Sequence, residues 1–355
     1  MDRATTPSTG TGATVTRRTI PLLEILATLV PGTALVPLGS SELNHLEYSR
    51  FQGFEVDEFQ QLPHNTTRSN VEKKKSPPVV NVYLPAIALQ SYVTFYYFVT
   101  AYRPLEDFLY PEWGNIRLAL EGEWRVTMAG YGPEPQVDTL FGPTDRCGAV
   151  TTAGGRIVGF GMTPLGWRRL IGTDADLMAN RVRSLAGELG APAHELRAAF
   201  ASDTSEAQGV ARLDALLTEL VSRRRPETPA FIALALALQA RPADVTQFAA
   251  EAGVPPRTLH RLCLRLYGFA LKRLLRRQRF LDTLGKVRTA VGDPLREALD
   301  AAYFDQAHFY RDFRDFMGMS PRAYYAASRA LMARAAAAQT ASGVTLSFEL
   351  APPPL

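Results

Sequence analysis

Two short stretches hold the residues whose types and spacing are best suited to chemistry. Between Pro255 and Gly268, apolar Leu259, Leu262, Cys263 and Leu266 recur at helical spacing, which turns Arg257, His260 and Arg261 outward and Arg265 to the flank. Between Asp305 and Gly318 the inward stripe is Phe309, Phe313 and Phe316, leaving Gln306, Ala307, Tyr310, Arg311 and Arg314 on the open face. Such faces match the edges of base pairs. A guanidinium fork binds O6 and N7 of guanine, an amide reads adenine, and an alanine methyl packs on the thymine methyl.

Other chemistries find less support. His45, His64, His194, His260 and His308 include no pair at metal-ligand spacing, and no HExxH motif is present. There is no phosphate loop ending in GK[ST] and no GxSxG elbow. Cys147 and Cys263 stand far apart, so neither a disulfide framework nor a CxxC zinc site is expected, and a reducing, cytoplasmic setting is the default. Cys147 follows Arg146 without an adjacent histidine, and Cys263 lies on an inward face, so both thiols read as inert. The chain is read as a non-enzyme with no metal and no cofactor.

The elements that position the two faces are legible. Thr228-Pro229, Asp293-Pro294 and Ser320-Pro321 each set a capping residue before a proline at a first helical position. Gly253, Gly268 and Gly318 follow apolar-periodic runs, as helix C-caps do. Superposing Gly253 on Ala302 brings Leu259 near Phe309, Arg261 near Arg311 and Cys263 near Phe313, an internal repeat of about fifty residues. Each unit is a short helix, a tight turn and a second helix with one apolar stripe and one basic face, which is a helix-turn-helix plan. Between the units Leu271, Leu274, Leu275, Leu281, Leu284 and Val287 form a stripe interleaved with Lys272, Arg273, Arg276, Arg277 and Arg279. A connecting helix there would hold two recognition helices about one DNA turn, roughly 34 Å, apart.

The segments AAEAGVPPRTLHRLCLRLYGFALKRLLRRQRF and AYFDQAHFYRDFRDFMGMSPRAYY resemble the DNA-binding domain of AraC/XylS-type transcriptional regulators over roughly residues 228 to 330. Two positions depart from that pattern: Ala302 stands at the usual turn glycine and Cys263 where phenylalanine is usual. The resemblance implies base readout by Arg257, His260 and Arg261. Gln306, Ala307, Tyr310 and Arg311 form the corresponding set in the second unit. Phosphate contact is expected of Arg265, Lys272, Arg273, Arg276 and Arg314. His308 falls at a packing position, and Asp305 is expected to cap its helix.

Upstream, from about residue 79, short runs rich in Val, Tyr, Phe and Trp alternate with Gly and Pro, and suggest a small β-barrel or sandwich. Strands are expected at Tyr92–Val99, Ile116–Leu120, Trp124–Met128 and Arg156–Met162, with turns at Glu121-Gly122 and Gly154-Gly155. Helices are expected at Leu165–Leu170, Asp176–Leu189, Ala193–Phe200 and Ala207–Val221. This region more weakly resembles the ligand-sensing or association module often attached to such regulators. Trp113, Trp124, Trp167, Tyr96, Tyr97 and Tyr131 are placed to line a cavity there, although plain core is the commoner use of aromatics.

The fold class is therefore α+β, a small β-barrel or sandwich with helices followed by an all-α double helix-turn-helix domain. The expected divisions are a disordered extension or linker at 1–78, a sensor or association domain at 79–222, the DNA-binding domain at 226–335 and a disordered tail at 336–355. Residues 20–38 are apolar, but Glu24 and three prolines interrupt them short of a membrane span, so no membrane partner is expected. The formal charge of +4 is unevenly spread, roughly +7 over residues 226–335 and roughly −3 elsewhere. Together these imply a sequence-specific DNA-binding regulator whose partner is double-stranded DNA, with RNA polymerase and an unidentified small-molecule effector as further candidates. The alternative is a sensing or interaction module that binds DNA only non-specifically.

Overall fold

A computed structural model describes residues 76–128, 131–200, 204–289, 303, 306–327 and 329–342. The first part is one antiparallel sheet of β1 (Val79–Tyr83), β2 (Val93–Ala101), β3 (Leu105–Leu109), β4 (Asn115–Met128), β5 (Tyr131–Gln136), β6 (Asp138–Phe141), β7 (Gly148–Met162) and β8 (Val182–Ser184). The order is β1-β2-β7-β4-β6-β8, with β3 on β7 and β5 on β4, so the long pair β4 and β7 forms the spine of an open sandwich.

The pairs Glu121-Gly122 and Gly154-Gly155, expected as turns, are instead irregularities within β4 and β7. Gly122 pairs with Gly155 and the register shifts on either side. Both glycines have positive φ, and a Cβ on Gly155 would lie 2.1 Å from the carbonyl oxygen of Glu121. Only glycine allows the strands to approach and bend there, and the bend lets each long strand serve two neighbours. The runs Ile116–Leu120 and Trp124–Met128 are thus one strand, β4.

Both faces of the sheet are covered. One packs Val93, Tyr96, Ile116, Val158 and Phe160 against α1 (Leu185–Leu189), α2 (Ala191–Ala198) and α3 (Glu206–Arg223), through Leu185, Leu196, Leu213 and Leu217. The other encloses Val99, Trp124, Val126, Phe141, Val150 and Ile157. Ser205 starts α3 with a capping box that Gln208 completes. The helix expected over Asp176–Leu189 does not form as one piece. Asn180 has φ of 57°, and Val182–Ser184 pairs with β6 before α1 begins. Periodicity cannot foresee that three of these residues are taken as a sheet edge.

The second part is helical: α4 (Pro229–Gln239), α5 (Val245–Glu251), α6 (Pro256–Tyr267), α7 (Leu271–Thr289), α8 (Gln306–Met317), α9 (Pro321–Ala326) and α10 (Ala330–Ala341). Ser320 caps α9 by accepting from the Ala323 N–H at 3.1 Å, whereas Thr228 precedes α4 without a side-chain cap. The expected cap at Asp293-Pro294, the helix around Leu295–Ala302, the cap at Asp305, residues 1–75 and residues 343–355 lie outside the described set. The tail expected to lack structure from residue 336 instead begins inside α10. That helix packs on β1 and β3, with Leu331 and Gln339 buried.

Candidate nucleic-acid interface

Two separate cores hold the two helical units. In the first, Leu259, Leu262, Cys263 and Leu266 of α6 pack with Phe231, Leu234 and Leu238 of α4, Phe248 of α5, and Leu271 and Leu274 of α7. In the second, Phe309, Phe313 and Phe316 of α8 pack with Phe280, Leu281 and Leu284 of α7 and with Tyr324 of α9. Phe280 stacks on Phe316 at 5.1 Å. A single helix, α7, is therefore shared by both cores and fixes one unit against the other.

The faces opposite these stripes are open. Arg257, His260 and Arg261 on α6 are exposed, as are Ala307, Tyr310, Arg311 and Arg314 on α8. Among the described residues none of Arg257, Arg261, Arg311 and Arg314 has a carboxylate within ion-pair distance. Gln306 opens α8, but its side chain is outside the described set. His308 is half-buried and packs edge-on against Tyr303 at 5.2 Å.

The arginines expected on phosphates divide differently. Lys272 is exposed. Arg265 reaches Asp174 of the first part, its Nε lying 3.0 Å from Oδ2. Arg273 lies over the Phe316 ring at 4.1 Å and pairs with both Asp145 and Asp315. Arg276 donates to Asp312 at 2.5 Å and to Asp315 at 3.1 Å. Burial opposes ionisation of Asp315, yet Arg273 and Arg276 hold its carboxyl below the usual range. Asp312 is fully buried and also takes Arg279 at 3.4 Å and the Tyr303 hydroxyl at 3.2 Å. In this conformation Arg265, Arg273 and Arg276 hold the fold together. The sequence pattern does not show this, because all four of their acidic partners, Asp145, Asp174, Asp312 and Asp315, sit outside the helices that carry the arginines.

Arg277, expected among the interleaved basic residues, is fully buried. Its Nε donates to the Thr144 carbonyl at 2.8 Å and its guanidinium lies 4.0 Å over Trp113, but both terminal nitrogens lack a hydrogen-bond partner. Burial lowers its pKa to about 9.

Sequence reasoning missed the loop between β3 and β4, which joins the sheet to both units. Tyr110 enters the second core and its hydroxyl hydrogen-bonds that of Tyr324. Trp113 enters the first core, 5.4 Å from Tyr267. Nearby, the Cys147 N–H donates to the Phe316 carbonyl at the end of α8 at 2.7 Å. Tyr110 and Glu112 of this loop also line a cavity of about 90 Å³ inside the sheet. Its walls are Val80, Val82, Phe95, Val99, Val150 and Ile157, and its polar end holds Tyr97, Asn115 and the Glu112–Arg117 ion pair at 2.8 Å. Of the aromatics considered for a cavity, Tyr97 lines it. Trp113, Trp124, Trp167 and Tyr96 are buried in packed clusters, and the Tyr131 side chain is outside the described set.

Both cysteine thiols are pushed up to about 12 by burial, which leaves negligible thiolate at neutral pH. Among the described residues there is no cluster of three metal-ligating side chains, and no helix is long and apolar enough to cross a membrane.

Residues 248–327 match the helix-turn-helix domain family. A comparison with curated proteins finds no match. Among solved structures, the chain is similar to ToxT from Vibrio cholerae at 10% identity, covering 70% of this chain and 96% of that one with a TM-score of 0.37. It is similar to an apo ToxT variant from Vibrio cholerae at 9% identity, with 70% and 97% covered and a TM-score of 0.38. The AraC-like transcriptional activator CuxR aligns at 15% identity over 59% of this chain and 88% of that one, with a TM-score of 0.24.

Proposed function

Since residues 248–327 form an AraC-type helix-turn-helix domain, the DNA-binding part of a transcription regulator, we propose that the chain reads a specific DNA sequence through α6 and α8 under control of its N-terminal sheet domain. One observation carries this reading. The two helices with apolar faces locked in separate cores are those whose outer faces present Arg257, His260, Arg261, Arg311 and Arg314 without carboxylate partners among the described residues. Base readout falls to Arg257, His260, Arg261, Gln306, Ala307, Tyr310 and Arg311 in two successive major grooves, and phosphate contact to Lys272 and Arg314. Arg265, Arg273 and Arg276 contribute to phosphate binding only if their carboxylate partners let go.

Control by the N-terminal domain is supported by the loop from Tyr110 to Trp113. It lines the cavity on one side and enters both helical cores on the other, so a molecule in the cavity acts on both units through one element. No catalytic role is assigned.

The engagement of three basic residues by carboxylates lowers the affinity expected for any duplex, and the alternative reading is that this module binds DNA only without sequence preference. Selection of duplexes from a random pool, followed by fluorescence anisotropy at two salt concentrations, separates the two. Enrichment of a defined sequence that outcompetes random duplex by about 10³-fold or more supports the proposal. Equal, steeply salt-dependent binding to all duplexes overturns it.

A further inference from the structure

We propose that the C-terminal helix α10 is an intrachain lid on the cavity of the sheet domain, seated when the cavity is empty and displaced by its occupant. This rests on the reading that the N-terminal domain controls the DNA-binding units.

Both ends of the helix are fastened to the sheet. The Leu331 and Met332 N–H groups donate to Asp107 Oδ2 at 2.8 and 3.0 Å. Asp107 is fully buried on β3, and its other oxygen accepts from the Phe108 N–H at 2.7 Å. A carboxylate is well placed there, since the first turn of a helix carries unpaired N–H groups and the positive end of the dipole. At the other end the Ser342 hydroxyl donates to the Val82 carbonyl at 3.2 Å. Between these points Leu331, Met332, Ala335 and Gln339 close one wall of the cavity.

That wall is the one able to move. The strands forming the others are tied to one another by the sheet ladder, whereas α10 is rich in alanine and buries only Leu331 and Gln339 among its twelve residues. Few buried apolar contacts mean a low free energy of local opening. Size gives the second argument. A cavity of about 90 Å³ is smaller than the roughly 150 Å³ that accommodates benzene, so a larger occupant that is to be fully enclosed requires a wall to yield.

The lining defines the class of occupant. The walls are apolar, and the charge of Arg117 is already met by Glu112. The Tyr97 hydroxyl already donates to Asn115 Oδ1 at 2.7 Å, so the site suits an apolar body with one uncharged acceptor, such as a carbonyl, directed at the Asn115 amide. Displacement also reaches the second unit. Residues Ala327 to Arg329 alone separate α10 from α9, and Arg329 lies over the ring of Tyr324, a core residue of that unit, at 4.5 Å.

The test uses prodan, an uncharged naphthalene dye with a carbonyl group, titrated by fluorescence. The chains compared are the intact chain, Asp107→Asn, Leu331→Ala and a chain ending at Ala327. Leu331→Ala, which also widens the wall that Leu331 forms, leaves the strands unaltered and serves if the strand variant fails to fold, and the chain ending at Ala327 removes the helix itself. Binding about tenfold tighter or more in each opened chain is expected, with Val150→Phe filling the cavity and abolishing binding in the Leu331→Ala background. Equal affinity in all chains, or binding that survives Val150→Phe, overturns the lid. DNA anisotropy on the same samples keeps the readings apart. A chain that opens to prodan but has no sequence preference refutes the proposed function, whereas one that reads DNA and binds prodan equally in every form refutes only the lid.

Discussion

Replacing Arg314 and Arg276 separately by glutamine distinguishes a cation available to DNA from one engaged by the fold. Arg314 is exposed on the open face of α8, while Arg276 joins Asp312 and Asp315. If Arg314 neutralises one phosphate, Arg314→Gln should reduce the slope of log Kobs against log salt by about 0.9. Over a fourfold rise in salt, that contact accounts for a change of about 3.5-fold in affinity, the same for specific and random duplexes. Arg276→Gln should leave the slope unchanged and lower stability. It removes a charge-assisted hydrogen bond to the buried Asp312, a loss of about 1.5 to 3 kcal/mol, discounted to about 1 to 2 because the Arg276 side chain is 40% exposed. Anisotropy titrations across salt read the first quantity and urea denaturation the second. If Arg276→Gln lowered the slope by about 0.9 with stability unchanged, the division of the arginines argued from their carboxylate partners would be wrong.

Base readout predicts that Arg261→Ala and Arg311→Ala each weaken specific binding by roughly 1 to 3 kcal/mol and relax preference in different half-sites, as selection from random pools would show. Equal loss on random duplex would mark them as phosphate contacts. Arg277→Met should be neutral or stabilising by up to about 4 kcal/mol in thermal unfolding, since it removes a buried guanidinium with both terminal nitrogens unsatisfied; a loss of several kcal/mol would show that Trp113 and Thr144 compensate it fully. Neither Cys147 nor Cys263 should react with iodoacetamide at pH 8 until the chain is unfolded, because burial pushes both thiols up to about 12. The sign for stability follows: the contribution of these neutral thiols is complete below about 9 and is lost as pH rises from 9 toward 12. A stability flat across that window would contradict the burial.

The glycines at 253, 268 and 318 all have positive φ at the ends of apolar-periodic runs, where the sequence predicts them. The inward stripes of α6 and α8 are likewise the buried residues of the two cores. These features rest on helical period and on φ preference, which act within a few residues. The misreadings have a common origin. Gly122 and Gly155 carry the mark of turns, yet they face each other across two long strands, and only their pairing shows a bend. Asp176–Leu189 has apolar residues for a helix, but β6 takes Val182–Ser184 as a partner.

The sequence by itself determined the helical faces, their polarity and the residues exposed on the open sides of α6 and α8, because a helix sets side-chain direction from spacing alone. Only the tertiary structure decided which of the basic residues remain available. Asp145 meets Arg273 and Asp174 meets Arg265 across 128 and 91 positions, and no local pattern records such a meeting. Nor does one reveal that Tyr110 and Trp113 enter different helical cores, or that α10 returns to line a cavity whose other walls are strands from the first half of the chain. Ion pairing and burial depend on proximity in space, and for these residues proximity exists only once the sheet and both helical units have packed together.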